Sequence, residues 1–404
     1  MSTAKISLIE KWLDPFLIEL EVMDSPVVDL SQLTAASKRV LAESLAAQRL
    51  ITFGRNGLLL EEPDGSKNLN LSNWGHNFLS AVAIQMPVGD KSIDASEKRN
   101  RRKYQDGLLK SQMVWPDLNA FRDNAFILCA DHKLAAYGLP EQLYVDNNSN
   151  KLISWDGMRS LLEQILNAVS SQYKPAWIDS QSALQEALTT IFSETFKNTH
   201  DHARQDINGS DLQTSIRAIN ARYYSIEEAL ERVHTVPEDK INPAERYVRS
   251  FAPKILSSGI RNINQPQVKG FLELSVLDSG PGMAARWLRK SVCDMPPKEQ
   301  LAAVLECFGK GRTTTASTGR GFGLWKVLSS LRLLHGFMSV RTNSIHAYRQ
   351  FSYLNDSGLE QSSGGAQVPK EFLLDWKKEL SKEPTKYAHI QGTVVSFILP
   401  MGDA

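Results

Sequence analysis

The sequence is poor in cysteine, in long apolar runs and in net charge, and each shortage removes a class of protein. Only Cys129, Cys293 and Cys307 occur in 404 residues. Their spacing fits neither a disulfide framework nor a cysteine-based zinc site, and it suits a reducing compartment. No stretch approaches the run of about 18 apolar residues that a membrane-crossing helix requires. The opening M-S-T-A-K-I-S-L carries no signal-like apolar block, so the expected location is cytoplasmic. A formal net charge of +1 creates no field that would gather nucleic acid or a membrane surface. Internal repeats and low-complexity tracts are missing as well. What is there is ordinary: 42% apolar and 23% charged residues, the balance of a folded chain rather than a disordered one. The length accommodates about two or three domains.

The pattern changes near residue 150. Leu33 to Leu50 follow a helical period, and in R-L-I-T-F-G-R-N-G-L-L-L-E-E two apolar runs flank Asn56-Gly57, a hairpin signal. Residues 87–106 are polar and hold the densest basic run: Lys98, Arg99, Arg101, Arg102 and Lys103. That run is expected as a solvated loop or helix face, with a partner or nucleic-acid contact as the alternative. A-F-I-L-C-A and Q-L-Y-V, within 125–147, read as strands. Residues 1–150 are therefore expected to form a smaller mixed α+β domain, without a motif that carries chemistry. Met158, Leu161, Leu162, Ile165, Leu166 and Val169 give 156–171 an amphipathic helical period, which breaks at Lys174-Pro175. Residues 151–180 are expected as a helical linker.

A second helix is predicted over 181–203, and 212–234 and 243–252 read as further helix. After Gly270, F-L-E-L-S-V-L reads as a strand. A glycine-rich loop, a helix and a second glycine-rich segment follow, then a helix over 323–335 and strands near 337–343 and 392–399. That order predicts an α/β layer sandwich. D-S-G-L-E-Q-S-S-G-G-A, at 356–366, is expected as a flexible surface loop.

Three segments can carry chemistry. Glu194, Asn198 and His202 fall at i, i+4 and i+8 and line one helical stripe, while Leu184, Leu188, Ile191 and Ala203 can serve a buried one. A carboxamide offers an uncharged oxygen to a hard Mg²⁺ ion, and a carboxylate can take a proton from an attacking water or hydroxyl. Taken alone, such a stripe is more often a solvated face. L-E-L-S-V-L-D-S-G-P-G-M, residues 272–283, delivers Asp278 to a strand end, where Gly280, Pro281 and Gly282 turn the chain. An ionised Asp there can accept from an exocyclic amine such as that of adenine, although an Asx turn explains the segment when it stands alone. In F-G-K-G-R-T-T-T-A-S-T-G-R-G-F-G-L-W-K-V, residues 308–327, Gly309, Gly311, Gly319, Gly321 and Gly323 alternate with Lys310, Arg312, Arg320 and threonines from Thr313 onward. Backbone N–H groups and cations so arranged can wrap anionic oxygens. The helix expected from Gly323 would aim its N-terminus at phosphate. A plain flexible loop explains the glycines but not the cations.

Glu194-x₃-Asn198, Asp278-x-Gly280-x-Gly282, Gly319-x-Gly321-x-Gly323-Leu324 and Gly392-Thr393 occur in that order. They resemble the N-box and successive glycine boxes of the gyrase, chaperone, histidine-kinase and MutL (GHKL) class of ATP-binding proteins. The resemblance covers 181–404 and implies a two-layer α/β sandwich with ATP and Mg²⁺ as cofactors. It implies that Asn198 holds Mg²⁺, that Glu194 is a general base or orients water, and that Asp278 reads the adenine amine with help from Thr393. Gly280, Gly282 and Met283 would border the nucleotide, and 308–320, with Gly309, Gly311, Thr313 and Gly319, would form a mobile lid. Gly321, Phe322, Gly323 and Leu324 would lie at the phosphates. Lys310, Arg312 and Arg320 are our own reading as charge-neutralising groups. The wording E-T-F-K-N-T-H-D-H-A is most similar to the anti-sigma-factor serine kinases. Expected helical insertions at about 204–269 and 344–391 set the chain apart from them.

A histidine kinase would need a phosphoacceptor upstream. His76 lacks the acidic neighbour usual in that family, and His132 falls in a strand-like stretch. The expected function is slow Mg²⁺-dependent ATP hydrolysis coupled to lid closure and to association with a protein partner or a second copy. A serine/threonine protein kinase and a non-hydrolysing ATP-gated scaffold are the alternatives.

Overall fold

The computed structural model describes residues 27–29, 40–55, 57, 59–61, 77–87, 95–113, 124–133, 138–145, 151–169, 182–234, 236–237, 241–252, 267–309, 311, 323–351, 372–378 and 383–403. Before the first long helix pair come β1 (Val27–Asp29), α1 (Ala42–Gly54), β2 (Leu59–Glu61), α2 (Phe78–Gln85), α3 (Ala95–Met113) and β3 (Asn124–Ala130). Then follow α4 (Trp155–Val169), α5 (Ser182–His202), β4 (Ile216–Ser225), α6 (Ile226–His234), α7 (Pro243–Arg249) and β5 (Gln267–Asp278). The remainder holds α8 (Met283–Leu288), α9 (Pro297–Phe308), α10 (Gly323–Leu333), β6 (Phe337–Asn343), β7 (Ile345–Gln350), β8 (Leu374–Asp375) and β9 (Ile390–Asp403). No helix among the described residues is long and apolar enough to cross a membrane.

The fold is α+β. Strands β3 to β9 form one sheet of order β3-β4-β5-β9-β6-β7-β8, and every pairing in it is antiparallel. Side chains alternate across a strand, and here both faces are covered. On β5, Leu272, Leu274 and Val276 join the core made with α4, α5, α8, α9 and α10. Leu277 points the other way, to a core where Ala46, Leu50, Phe78, Val82 and Leu109 from α1, α2 and α3 meet Phe126, Ile216 and Val394. Phe271 points to that second face too, but at its other end, where Val233, Tyr247 and Val248 of α6 and α7 pack on Tyr224, Phe337 and Ile398. A polar rung divides the two: Asn220, Ser275, Ser396 and Ser339 are consecutive register partners across β4, β5, β9 and β6. Within it Ser275 Oγ donates to Ser396 Oγ at 2.7 Å.

This arrangement corrects the two-layer expectation: the sheet lies between two helical layers. Each fully buried Leu or Phe contributes about 1.5–3 kcal/mol relative to exposure, so α1 and α2, with Leu50, Phe78 and Leu79 at 0% exposure, bind the second face strongly. The boundary expected at residue 150 does not separate two domains either, because β3 is hydrogen-bonded to β4 along its whole length.

Other expectations change for identifiable reasons. The helical block expected from 212 contains β4. Its I-R-A-I-N-A-R-Y-Y-S lacks alternation because the strand is buried on both faces between β3 and β5, and tertiary pairing overrides local preference. The insertion 204–269 is thus part strand, and 344–391 contributes β7 and β8. Of the helix expected over Leu33–Leu50, residues 33–39 lie outside the described residues, and the helix described runs from Ala42 to Gly54. No hairpin forms around Asn56-Gly57, since L-I-T-F continues α1, with Ala46, Ala47, Leu50, Ile51 and Gly54 buried on one face, and β2 pairs in parallel with β1. Q-L-Y-V gives only an isolated bridge, Tyr144 to Leu152.

The basic run lies on α3 and is split. Arg99, Arg102 and Lys103 are exposed, whereas Arg101 turns inward and donates from Nη2 to Ala83 O and Met86 O at 3.1 and 3.0 Å. It thereby gives a partner to the Met86 carbonyl at the end of α2 and a second donor to Ala83 O, which also accepts from Met86 N at 3.2 Å. Lys174-Pro175 and 356–366 lie outside the described residues.

Candidate functional site

Helix α5 is held by Leu188, Ile191, Phe192 and Phe196, all at or below 1% exposure. That anchoring leaves Glu194 and Asn198 half-buried, one turn apart on the other stripe. The Glu194 carboxylate rests on the first turn of α10. A Cβ at Gly323 would come within 2.8 Å of Glu194 Oε2, so a side chain there would push the carboxylate aside, and the helix dipole favours the negative charge in its present place. Lys326 Nζ is 3.9 Å from Glu194 Oε1. Leu324 places its side chain in the core with Val327, Leu328 and Leu331.

At the C-terminal end of β5 a second polar rung crosses the sheet, on the α5 face. Arg217 is paired with Asp278, Asp278 with Thr393, and Thr393 with Thr342. Asp278 Oδ1 accepts from the N–H groups of Gly280 at 2.8 Å and Thr393 at 3.2 Å. The hydroxyls of Thr342 and Thr393 are 3.1 Å apart. Burial pushes the Asp278 carboxyl up to about 7, while the two N–H donors and Arg217 pull it down.

The loop after Asp278 is fixed from three sides. A Cβ at Gly280 would meet Ala203 Cα at 2.7 Å, so the end of α5 packs directly on it. Gly282 has φ +87° and faces the Asn343 side chain, whose Nδ2 donates to Pro281 O at 2.9 Å. Met283 opens α8, and its N–H reaches Thr342 Oγ1 at 2.9 Å. From β9, Gln391 Nε2 donates to Ser279 O and Gly280 O at 2.9 and 2.7 Å. Helix α1 supports Gln391 in turn: its backbone N–H donates to Thr52 Oγ1 at 3.0 Å, and Arg55 Nη1 reaches its Oε1 at 3.2 Å.

The structure thus gathers Glu194, Asn198, Asp278, Gly280, Gly282, Met283, Gly323 and Thr393 at one end of the sheet. Helix α5 connects the two halves, touching Gly280 through Ala203 and Gly323 through Glu194, with Asn198 between them along the helix. Gly309 ends α9, and Gly311 is exposed at φ +75°. Lys310, Arg312, Thr313, Gly319, Arg320, Gly321 and Phe322 lie outside the described residues, as does His76.

His132 sits in a 3₁₀ turn with Nδ1 near Ser215 O, at 3.1 Å. The sequence reading missed Arg217, Thr342, Asn343 and Gln391. None belongs to a motif, and register partnership, which puts them here, leaves no mark in a single sequence.

The corner holds a buried carboxylate beside two hydroxyls, and its glycines allow Ala203 and the Asn343 side chain to close on the loop backbone. No group of three His, Cys, Asp or Glu side chains able to hold a metal occurs among the described residues. A hard cation would have to take most of its oxygens from a ligand and from water, with Asn198 supplying one. Comparison with protein-family models, with curated proteins and with solved structures gives no match.

Proposed function

We propose that this chain binds ATP with Mg²⁺ at the end of its sheet, in the manner of the GHKL class, and hydrolyses it slowly as a switch. The observation that supports this best is the Asp278–Thr393 corner meeting α5 at Gly280. It brings the Asp278 carboxylate and the Glu194–Asn198 stripe to the same end of one sheet face. Bound there, ATP supplies the transferable phosphoryl group, and Mg²⁺ screens its charge. Asp278 accepts a hydrogen bond from the adenine amine, Thr393 adds its hydroxyl, and Asn198 contributes one oxygen toward the cation. Glu194 would take the proton of the water that attacks the γ-phosphorus, with ADP leaving as the β–γ bridging P–O bond breaks. Asn343 and Gln391 hold the glycine loop in place, so the base meets a fixed edge.

Glu194 also supports a second reading, an ATP-gated scaffold without hydrolysis, because its carboxylate already rests on α10 near Lys326. One pair of variants separates the two. Glu194→Ala should keep ADP affinity within about threefold of the parent, yet lower phosphate release by roughly 10²-fold or more, the contribution of a general base. Asp278→Asn should weaken ADP binding about 10- to 100-fold, the loss of a hydrogen bond to a charged group. Equal phosphate release from Glu194→Ala and parent would leave the scaffold. Unimpaired ADP binding by Asp278→Asn would remove the adenine assignment.

A further inference from the structure

Arg217 belongs to no motif, yet it is 0% exposed and lies opposite Asp278 in the β4–β5 register. Its Nε donates to Asp131 Oδ2 at 2.9 Å and its Nη2 to Asp131 Oδ1 at 2.5 Å. Nη2 also donates to Tyr144 Oη at 2.6 Å. A guanidinium can only donate, so Tyr144 Oη accepts from Arg217, and the same Oη is hydrogen-bonded to His200 Nδ1 at 3.1 Å. His200 is two residues beyond Asn198 on α5. One buried cation therefore sits beside the carboxylate of the base corner and, through one phenol, holds the helix that carries Glu194 and Asn198. The ion pair with Asp131 alone would serve architecture. The placement beside Asp278 and the unpartnered Nη1 go beyond it.

We infer that Arg217 is a positioning residue of the nucleotide site, which joins the Asp278 corner to α5 and keeps Asp278 able to accept. The inference rests on the ATP reading above. Among the described residues, the charged and titratable groups around the corner are Arg217 on β4, Cys129 on β3, Asp131 and His132 after it, Tyr144, and His200, His202 and Arg204 at the end of α5. Arg204 Nε lies 3.5 Å from Asp131 Oδ1. The strands on the other side bring hydroxyls, Thr393 and Thr342. Among the contributions to Asp278, Arg217 is the cation that favours ionisation.

The test is the pH profile of ADP binding, measured by calorimetry for the parent, Arg217→Met, Arg217→Lys and Asp131→Asn. ADP carries the same titration of its own in every arm, so differences between variants report on the protein. Protonated Asp278 is a weaker acceptor and turns an O–H donor toward the amine, so parent affinity should fall on the acid side. Arg217→Met removes the favouring cation and should move that midpoint up by about one pH unit or more, the effect of a neighbouring charge. Arg217→Lys should return it toward the parent. Asp131→Asn leaves the cation unbalanced and should move the midpoint down. A purely structural role would lower the melting temperature in these variants with the midpoint unmoved. An unmoved midpoint in Asp131→Asn overturns the inference even where Arg217→Met does not fold. A parent that binds no ADP at any pH overturns the ATP reading together with the inference. A parent that binds ADP, with variants that share its midpoint, overturns the inference alone.

Discussion

Gly392 and Gly209 have the same kind of backbone and different surroundings. Gly392 has φ +75°, and a Cβ there would lie 1.8 Å from the Asp278 carbonyl oxygen. Gly209 has φ +87°, with nothing within 4 Å of the added atom. Gly209→Ala should therefore cost only the left-handed backbone term, about 1–2 kcal/mol. Gly392→Ala adds a collision with backbone that cannot move without breaking the Thr393 N–H bond to Asp278. It should cost more than the roughly 1–3 kcal/mol of backbone strain alone, and it should weaken ADP binding as well. Thermal denaturation of both variants checks this, and equal losses would refute it. Gly392 stood out in the sequence as part of a glycine-threonine pair. The carbonyl that demands it did not.

At the scale of elements, α1 docks on the second face through acid groups. Glu273, 2% exposed, accepts from Leu41 N and from Tyr224 Oη, both at 3.0 Å. Glu43 Oε2 accepts from Asn124 Nδ2 at 3.0 Å and from Asn220 Nδ2 at 3.4 Å. Burial raises the Glu43 carboxyl from 4.5 to about 7, with nearby Glu273 adding to it and Arg222 opposing. The folded chain then holds a proton, between those two values, that the unfolded chain has released. Stability contributed by this group is present below 4.5, is lost as the pH rises toward 7, and levels off above. Asp278, pushed up to about 7, and Glu273, also raised by burial, act in the same sense, while His200, His346 and His389, lowered by burial, act in the opposite one. Glu43→Gln should therefore gain stability relative to the parent as the pH rises from 4.5 to 7, as read by denaturant melts across that range. A profile as steep as the parent's would show that Glu43 is ionised in the folded state.

For the whole molecule, the decisive feature is that both faces of one sheet are covered, the second by α1 to α3 and by α6 and α7. A fragment starting at residue 151 loses β3 and α1 to α3, and leaves Ile216, Leu277 and Val394 without the apolar partners that bury them. It should not show a cooperative thermal transition, whereas a fragment starting at residue 27 should. Circular dichroism melts of the two decide, and cooperative unfolding of the shorter one would restore a boundary at residue 150. The same dependence reaches the proposed site, since Thr52 and Arg55 of α1 hold Gln391, and Gln391 holds the carbonyls of the glycine loop.

The sequence by itself determined the local chemistry. Glu194 and Asn198 had to share a stripe once 182–202 was helical, and Asp278 had to end a strand because the apolar run stops there and glycines follow. The tertiary structure decided everything that depends on register and on which faces are covered. β4 read as helix because a strand buried on both sides has no alternation to display. The second helical layer was invisible because α1 and the sheet it covers are far apart along the chain. Arg217 acquired its place beside Asp278 only when β4 and β5 paired, a relation between distant residues that no local pattern encodes.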